Sequence, residues 1–188
     1  MKNQIVLASE SPRRRDLLTQ AGIPFRTVSA NADEIKEGEP VDVVTSNAVK
    51  KAEAGQKLCP DQCVLGADTI VCLEGRIFGK PGNAEEAFEM LRALSGRWHQ
   101  VYTGVALSDG AGRMLIEYDV TNVHFTNMSN EEITSYISTG EPFGKAGAYA
   151  IQGQAGYYID RIEGSYSNVI GLPLTTVRKL LKETGFIR

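Results

Sequence analysis

Cysteine is scarce in this chain: Cys59, Cys63 and Cys72 are odd in number, and no two of them are spaced as CxxC. That excludes a disulfide framework and argues against a structural zinc site. Cys72 directly follows Ile70-Val71 and reads as a core thiol. Positive charge is not in excess either. With 20 Lys and Arg against 23 Asp and Glu, the formal net charge is −3, which does not suit a nucleic-acid polymer as partner. A small pocket inside such a chain can still be locally basic. No run approaches the roughly 20 apolar residues needed to span a bilayer, and the apolar part of residues 1–7 is too short for a signal peptide. The expectation is a cytoplasmic protein that meets no membrane. Low-complexity tracts, charge blocks, linkers and internal repeats are absent as well.

What the chain does have is 188 residues, 42% of them hydrophobic, enough for a proper core in a single domain over 1–188. Helical and strand-like segments alternate, which favours an α/β architecture. Strands are expected at Gln4 to Ala8, Phe25 to Val28, Val64 to Leu73 and Tyr157 to Ile162. Val101 to Leu107 and Met114 to Phe125 form a hairpin around the Asp109-Gly110-Ala111-Gly112 turn. Helices are expected from Ser11 to Ala21, closed by Gly22, and from Pro40 to about Leu58, with Val41, Val44, Ala48 and Ala52 on one face. Others run from Asn83 to Leu94, from Ser129 to Ser138 with Glu132 at a capping-box position, and from Pro173 to Thr184. The stretch from Gly140 to Gly156 reads as loop with one short helical turn, and Glu163 to Asn168 as a polar turn in which Asn168 and Ser165 face a cleft.

Three segments carry chemistry. Ser9-Glu10-Ser11-Pro12-Arg13-Arg14 opens a helix with Ser11 as N-cap and Pro12 at the first helical position, so its free backbone N–H groups make an anion site. Leu17, Leu18 and Ala21 define the buried stripe. Arg13 and Arg14 lie four residues before Leu17 and Leu18, so both continue that face, while Arg15 and Asp16 fall outside. Inward arginines are costly unless an anion meets them. Phosphate oxygens would do so bidentately, and internal carboxylates such as Glu34 are the alternative.

In Val64-Leu65-Gly66-Ala67-Asp68-Thr69-Ile70-Val71 an aspartate interrupts an apolar run, and a buried carboxylate is paired, metal-bound or catalytic. Lys80 in Phe78-Gly79-Lys80-Pro81 is presented by a loop. Lys51 sits at the rim of its helix's buried face, as a phosphate ligand or an ordinary snorkelling lysine. Asp33 and Glu34 either hold a cation or are solvated. The third segment, Lys145-Ala146-Gly147-Ala148-Tyr149-Ala150-Ile151-Gln152-Gly153, packs small residues around one Lys, one Tyr and one Gln. It carries neither a GxGxxG nor a P-loop pattern.

Taken in order, Leu7-Ala8-Ser9-Glu10-Ser11-Pro12-Arg13-Arg14, Gly66-Ala67-Asp68-Thr69, Gly79-Lys80-Pro81, Ser95-Gly96-Arg97, Lys145 through Gly153 and Gly171-Leu172-Pro173 resemble the Maf family of nucleotide pyrophosphatases, also described as septum-formation inhibitors. The resemblance runs almost end to end. It implies an α/β fold with a mixed twisted sheet, flanking helices and two lobes around a deep cleft, often in a homodimer. It implies hydrolysis of a nucleoside triphosphate to the monophosphate and pyrophosphate with Mg²⁺ or Mn²⁺.

By motif position, Asp68 looks like the proton acceptor. Ser9, Arg14, Glu34, Lys51 and Lys80 match cleft residues, with Glu34 or Asp68 as metal ligand, and Lys145 sits in the loop motif. Arg13, Thr69 and Gln152 match the positions that separate substrate subclasses, and their combination is similar to the dTTP/UTP subclass, modified pyrimidine nucleotides included. A Gln amide can accept from N3–H of uracil or thymine and donate to O4, whereas a Glu carboxylate only accepts. Gly144 and Ala150 depart from the Asp and Gly that the family pattern leads one to expect. The alternative reading is a nucleotide-binding regulator of septum formation without turnover.

Overall fold

The structure, a computed structural model, describes residues 4–187. Short apolar runs become the strands Ile5–Ala8 (β1) and Phe25–Val28 (β2), on either side of the helix Pro12–Gln20 (α1). The helix Pro40–Leu58 (α2) leads into the long strand Val64–Leu73 (β3), then Arg76–Phe78 (β4) and the helix Ala84–Leu94 (α3). Trp98–Ser108 (β5) and Met114–Phe125 (β6) form the expected hairpin, followed by the helix Asn130–Ser138 (α4) with its capping box. Two short 3-10 turns, Ala146–Ala148 and Gln154–Tyr158, precede Ile159–Glu163 (β7), the helix Tyr166–Ile170 (α5) and the helix Leu174–Glu183 (α6).

Among the described residues seven strands make one mixed sheet in the order β2-β1-β3-β5-β6-β7, with β4 also on β3. β1 runs parallel to β2 and β3, and the remaining pairs are antiparallel. β5 accompanies β3 from Val64 to Cys72 along one edge. The other edge is shared: β1 covers only Val64 and Leu65, and β4 covers Val71 to Leu73. From Gly66 to Ile70 that edge has no strand partner, and the cleft opens there.

Alternation along β3 sends Leu65 and Ala67 into a core with α1 and α6, built on Leu17, Leu18, Val177 and Leu180. Further along, Val71 and Leu73 join a second core with α3, α4 and Phe125. Gly66, Asp68 and Ile70 face α2. The helix lies against the sheet at the bare glycines: a Cβ on Gly66 would stand 2.3 Å from the Ala48 carbonyl oxygen, and one on Gly104 2.3 Å from that of Val44. Gly104 is the cross-strand partner of Asp68.

Three local readings change. Ala21 is exposed rather than part of the buried stripe, because it lies past the helix end, where its N–H closes onto Leu17. The glycine-rich stretch holds two 3-10 turns rather than one. Glu163 to Asn168 is more than a turn: Ser165 Oγ accepts from the Asn168 N–H and starts α5, and Asn168 is fully buried, donating to the Val101 carbonyl and Thr121 Oγ1 rather than facing the cleft.

One imidazole is buried whole in the second core. His99 Nε2 lies 2.8 Å from the Tyr149 hydroxyl, with the ring edge-on to Phe125 and Tyr149. Burial drives its pKa from 6.5 down to about 4, against the opposing pull of the Arg97 backbone. Below pH 6.5 the unfolded chain therefore takes up a proton that the folded chain refuses. Stability should fall between pH 6.5 and about 4 and level off below, by about 3 kcal/mol at most from this group. Chemical denaturation of the wild type and His99→Gln across that range should show a shallower slope in the variant.

The glycine contacts make a second prediction. Gly104→Ala should lower the melting temperature by about 2–10 °C, as overpacking against backbone costs about 1–3 kcal/mol. Gly79→Ala, where a Cβ meets nothing within 4 Å, should melt like the wild type. Equal melting of both variants would show that α2 stands off the sheet.

Candidate active site

The cleft at the open edge of β3 encloses about 410 Å³. Its flanks follow from topology. β1 ends at Ala8 and hands on to Ser9 and the start of α1 on one side; β4 ends at Phe78 and hands on to Gly79-Lys80 on the other. α2 supplies Asn47 and Lys51 from above β3, and the 146–152 segment closes the far wall. Gly147 ties that wall to the β4 loop: its N–H donates to the Gly79 carbonyl at 3.0 Å, its φ is +67°, and a Cβ there would press into Val71 at 2.8 Å. Both demands leave only glycine.

Asp68 is 7% exposed. Oδ1 accepts from Lys51 Nζ at 2.7 Å and Oδ2 from Asn47 Nδ2 at 3.0 Å. The same Lys51 ammonium lies 2.7 Å from Glu34 Oε1, so one cation bridges two carboxylates. Burial raises the Glu34 pKa, but the hydrogen bond and charge of Lys51, with the charges of Lys80 and Arg14, outweigh it and hold the carboxyl below its ordinary value. Among the described residues no three or more His, Cys, Asp or Glu gather as a metal site. Glu34 and Asp68 are the two carboxylates that meet at Lys51.

Thr69 points to the opposite face and meets Arg14. The Arg14 guanidinium is buried and donates to Gly171 O at 2.8 Å, Ser9 Oγ at 3.1 Å and Thr69 Oγ1 at 3.1 Å. Thr69 Oγ1 also lies 2.9 Å from Thr103 Oγ1. Arg13 is half-buried, and its Nε donates to Ile170 O at 3.2 Å. The partners of both arginines are therefore neutral oxygens, two of them the Ile170 and Gly171 carbonyls at the end of α5. Glu34 belongs to Lys51 instead. Burial lowers the Arg14 pKa, opposed by Asp68, lowered further by Arg13 and raised by Glu34. A guanidinium has five N–H donors, so three bonds leave Arg14 two for an incoming anion. Ser11 is the N-cap residue and Pro12 opens α1 as expected, but Ser11 makes no side-chain bond to the helix, and Ser9 Oγ accepts from the Ser11 N–H at 3.2 Å.

Lys80 and Gln152 are exposed on the cleft walls. Lys145 is placed between two wall residues, but its Nζ donates to the carbonyls of Glu141 at 2.5 Å and Phe143 at 3.4 Å. The charged residues lining the cleft are four cations, Arg13, Arg14, Lys51 and Lys80, and three carboxylates, Glu10, Glu34 and Asp68. The cleft is locally positive in a chain of net charge −3. Sequence reasoning missed Asn47 and Thr103. Asn47 had a signal: it is a polar residue within an apolar helical face, four positions before Lys51 and three after Val44.

The model of the family described as Maf-like protein matches residues 4–184. A dTTP/UTP pyrophosphatase of Pelotomaculum thermopropionicum is 49% identical over 186 residues, covering 97% of both chains. One of Citrifermentans bemidjiense is 50% identical over 189 residues, covering 98% of both. Among solved structures, the Ham1 protein of Staphylococcus aureus aligns over 96% of this chain and 99% of its own, with a TM-score of 0.55 and 15% identity. A HAM1 protein from Coxiella burnetii does so over the same shares with a TM-score of 0.52 and 17% identity. At that identity the likeness concerns the fold alone, and it agrees with the mixed sheet and flanking helices expected from the sequence. Matched from its first strand to its last helix, and about half identical to relatives over nearly their whole length, the chain belongs to the Maf-like protein family.

Proposed function

We propose that this chain is a nucleoside triphosphate pyrophosphatase that takes dTTP and UTP, with modified pyrimidine triphosphates, to the monophosphate and pyrophosphate. Relatives about half identical to it are named dTTP/UTP pyrophosphatase. The observation that carries the reading is Asp68: a carboxylate held by Asn47 and Lys51 at an uncovered strand edge, beside a buried Arg14 with only neutral partners.

The polyphosphate lies among Arg14, Lys51 and Lys80, where guanidinium and ammonium donors neutralise charge that builds on the departing pyrophosphate. Asp68 accepts a proton from water as its oxygen attacks the α-phosphorus. The bond from that phosphorus to the α–β bridging oxygen breaks, and pyrophosphate leaves with the electron pair. Asn47 keeps Oδ2 oriented, and Lys51 holds Oδ1 until phosphate competes for the ammonium. Glu34 and Asp68 are the residues that would hold Mg²⁺ or Mn²⁺. Two carboxylates would suit a hydrated Mg²⁺ or Mn²⁺, which proteins hold through one or two carboxylates. When bound, such an ion neutralises phosphate charge and acidifies water. Ser9 and Thr69 keep Arg14 in place. Arg13 and Gln152 stand where the base is read, the Gln amide matching the donor–acceptor edge of uracil and thymine.

Asp68→Asn should lower kcat for pyrophosphate release from dTTP with Mg²⁺ by about 10³-fold, the range of general-base losses, with KM changed only a few-fold. Turnover within about tenfold of wild type would remove Asp68 from the role. Binding of dTTP by the wild type, without product under either metal, would favour the non-hydrolysing regulator. Gln152→Glu should lower kcat/KM for dTTP and UTP by about 10²-fold through an unpaired acceptor against O4, and lower it less for purine triphosphates. An equal loss across a nucleotide panel would place Gln152 in the scaffold.

A further inference from the structure

Gln152 is exposed on the cleft wall, and among the described residues its amide makes no side-chain hydrogen bond. A free amide can discriminate between base edges only when the backbone beneath it is held still. The turn that carries Gln152 is held at both ends by one pair of side chains. Upstream, the Ala150 N–H donates to the Tyr136 hydroxyl at 3.4 Å. Downstream, the Gln154 N–H donates to Glu141 Oε2 at 3.0 Å and the Ala155 N–H to Glu141 Oε1 at 3.3 Å. The Tyr136 hydroxyl itself donates to Glu141 Oε1 at 2.7 Å and joins the two anchors. Tyr136 is 3% exposed in α4, so its end of the pair is set in the core.

Gly153 fits the same account. Its φ of −107° is open to any residue, yet a Cβ there would stand 2.2 Å from Glu141 Oε2. The glycine beside Gln152 makes room for the carboxylate, and no special backbone conformation calls for it. Within the turn the Gly153 N–H donates to the Ala150 carbonyl at 3.0 Å. Burial raises the Glu141 pKa, but the Gln154 N–H, the Tyr136 hydroxyl and the Ala155 N–H hold it below its ordinary value, so the acceptor is charged at neutral pH.

We infer that Glu141 and Tyr136 are positioning residues for substrate selection: their carboxylate–phenol pair fixes the 150–155 turn and so sets Gln152 against the base of a nucleoside triphosphate. Neither residue touches the substrate. The inference rests on the reading of Gln152 proposed above.

Glu141→Gln and Tyr136→Phe in the full chain test it, with pyrophosphate release from dTTP, UTP and GTP and with inhibition by inorganic tripolyphosphate, which has no base. Pyrimidine kcat/KM should fall about tenfold, through KM, as one charge-assisted hydrogen bond is lost. The pyrimidine-to-purine ratio should shrink by a similar factor, with kcat within about twofold and tripolyphosphate inhibition unchanged. An unchanged ratio, or an equal loss for every nucleotide and for tripolyphosphate, overturns the inference. Tyr136→Phe keeps the buried ring and carries the test should Glu141→Gln not fold. A wild-type chain that releases no pyrophosphate from dTTP overturns the underlying reading as well; a pyrimidine-selective wild type with equally selective variants overturns this inference alone.

Discussion

The contact on which the site depends is a helix resting on a sheet with nothing between the two backbones. α2 meets β3 at Gly66 and β5 at Gly104, and a Cβ at either place would fall 2.3 Å from a helix carbonyl oxygen. Gly66 lies two residues before Asp68 on the same face, and Gly104 is its cross-strand partner. The aspartate is thus the one long side chain in a patch cleared of side chains. That closeness brings Asn47 and Lys51, one helical turn apart, onto the two oxygens of a single carboxylate. With side chains at Gly66 and Gly104 the helix would stand farther off, and the short Asn47 side chain would lose its reach to Asp68.

Strand pairing then decides where that carboxylate meets solvent. β1 and β4 take the two ends of one edge of β3 and leave Gly66 to Ile70 uncovered. Successive residues at the gap point to opposite faces, so Asp68 joins α2 while Thr69 joins Arg14. A single dipeptide therefore links two groups of opposite charge. On one side two carboxylates share one ammonium. On the other a buried guanidinium has neutral partners and donors to spare. This separation puts a carboxylate pair and a guanidinium with spare donors on two sides of one cleft.

Much of the architecture is legible locally. The periods that distinguish helix from strand act over a few residues, so β2, β3, α2 and the β5–β6 hairpin fall where the pattern puts them, and Ser129 and Glu132 announce the capping box of α4. Ser11 stands as the N-cap residue with Pro12 behind it, yet its hydroxyl makes no bond to the helix. A clear misreading arises where a distant partner wins. Asn168 looks like a polar loop residue, but the Val101 carbonyl and Thr121 Oγ1 draw it into the core.

By itself the sequence determined the elements, the inward placement of Arg13 and Arg14, the oddity of a carboxylate in an apolar strand, and a run of motifs that together indicate a family. Each is a matter of residue type and short spacing. The tertiary structure alone decided what those residues hold. Arg14 donates to Gly171, 157 positions away in the chain. Asp68 depends on an asparagine 21 positions upstream. Glu34, Lys51 and Asp68 become one charged group only when the loop before α2, the helix and the strand converge. Hydrogen bonds and ion pairs act over about 3 Å whatever the chain separation, so a local pattern can name the participants in a site but not their partners.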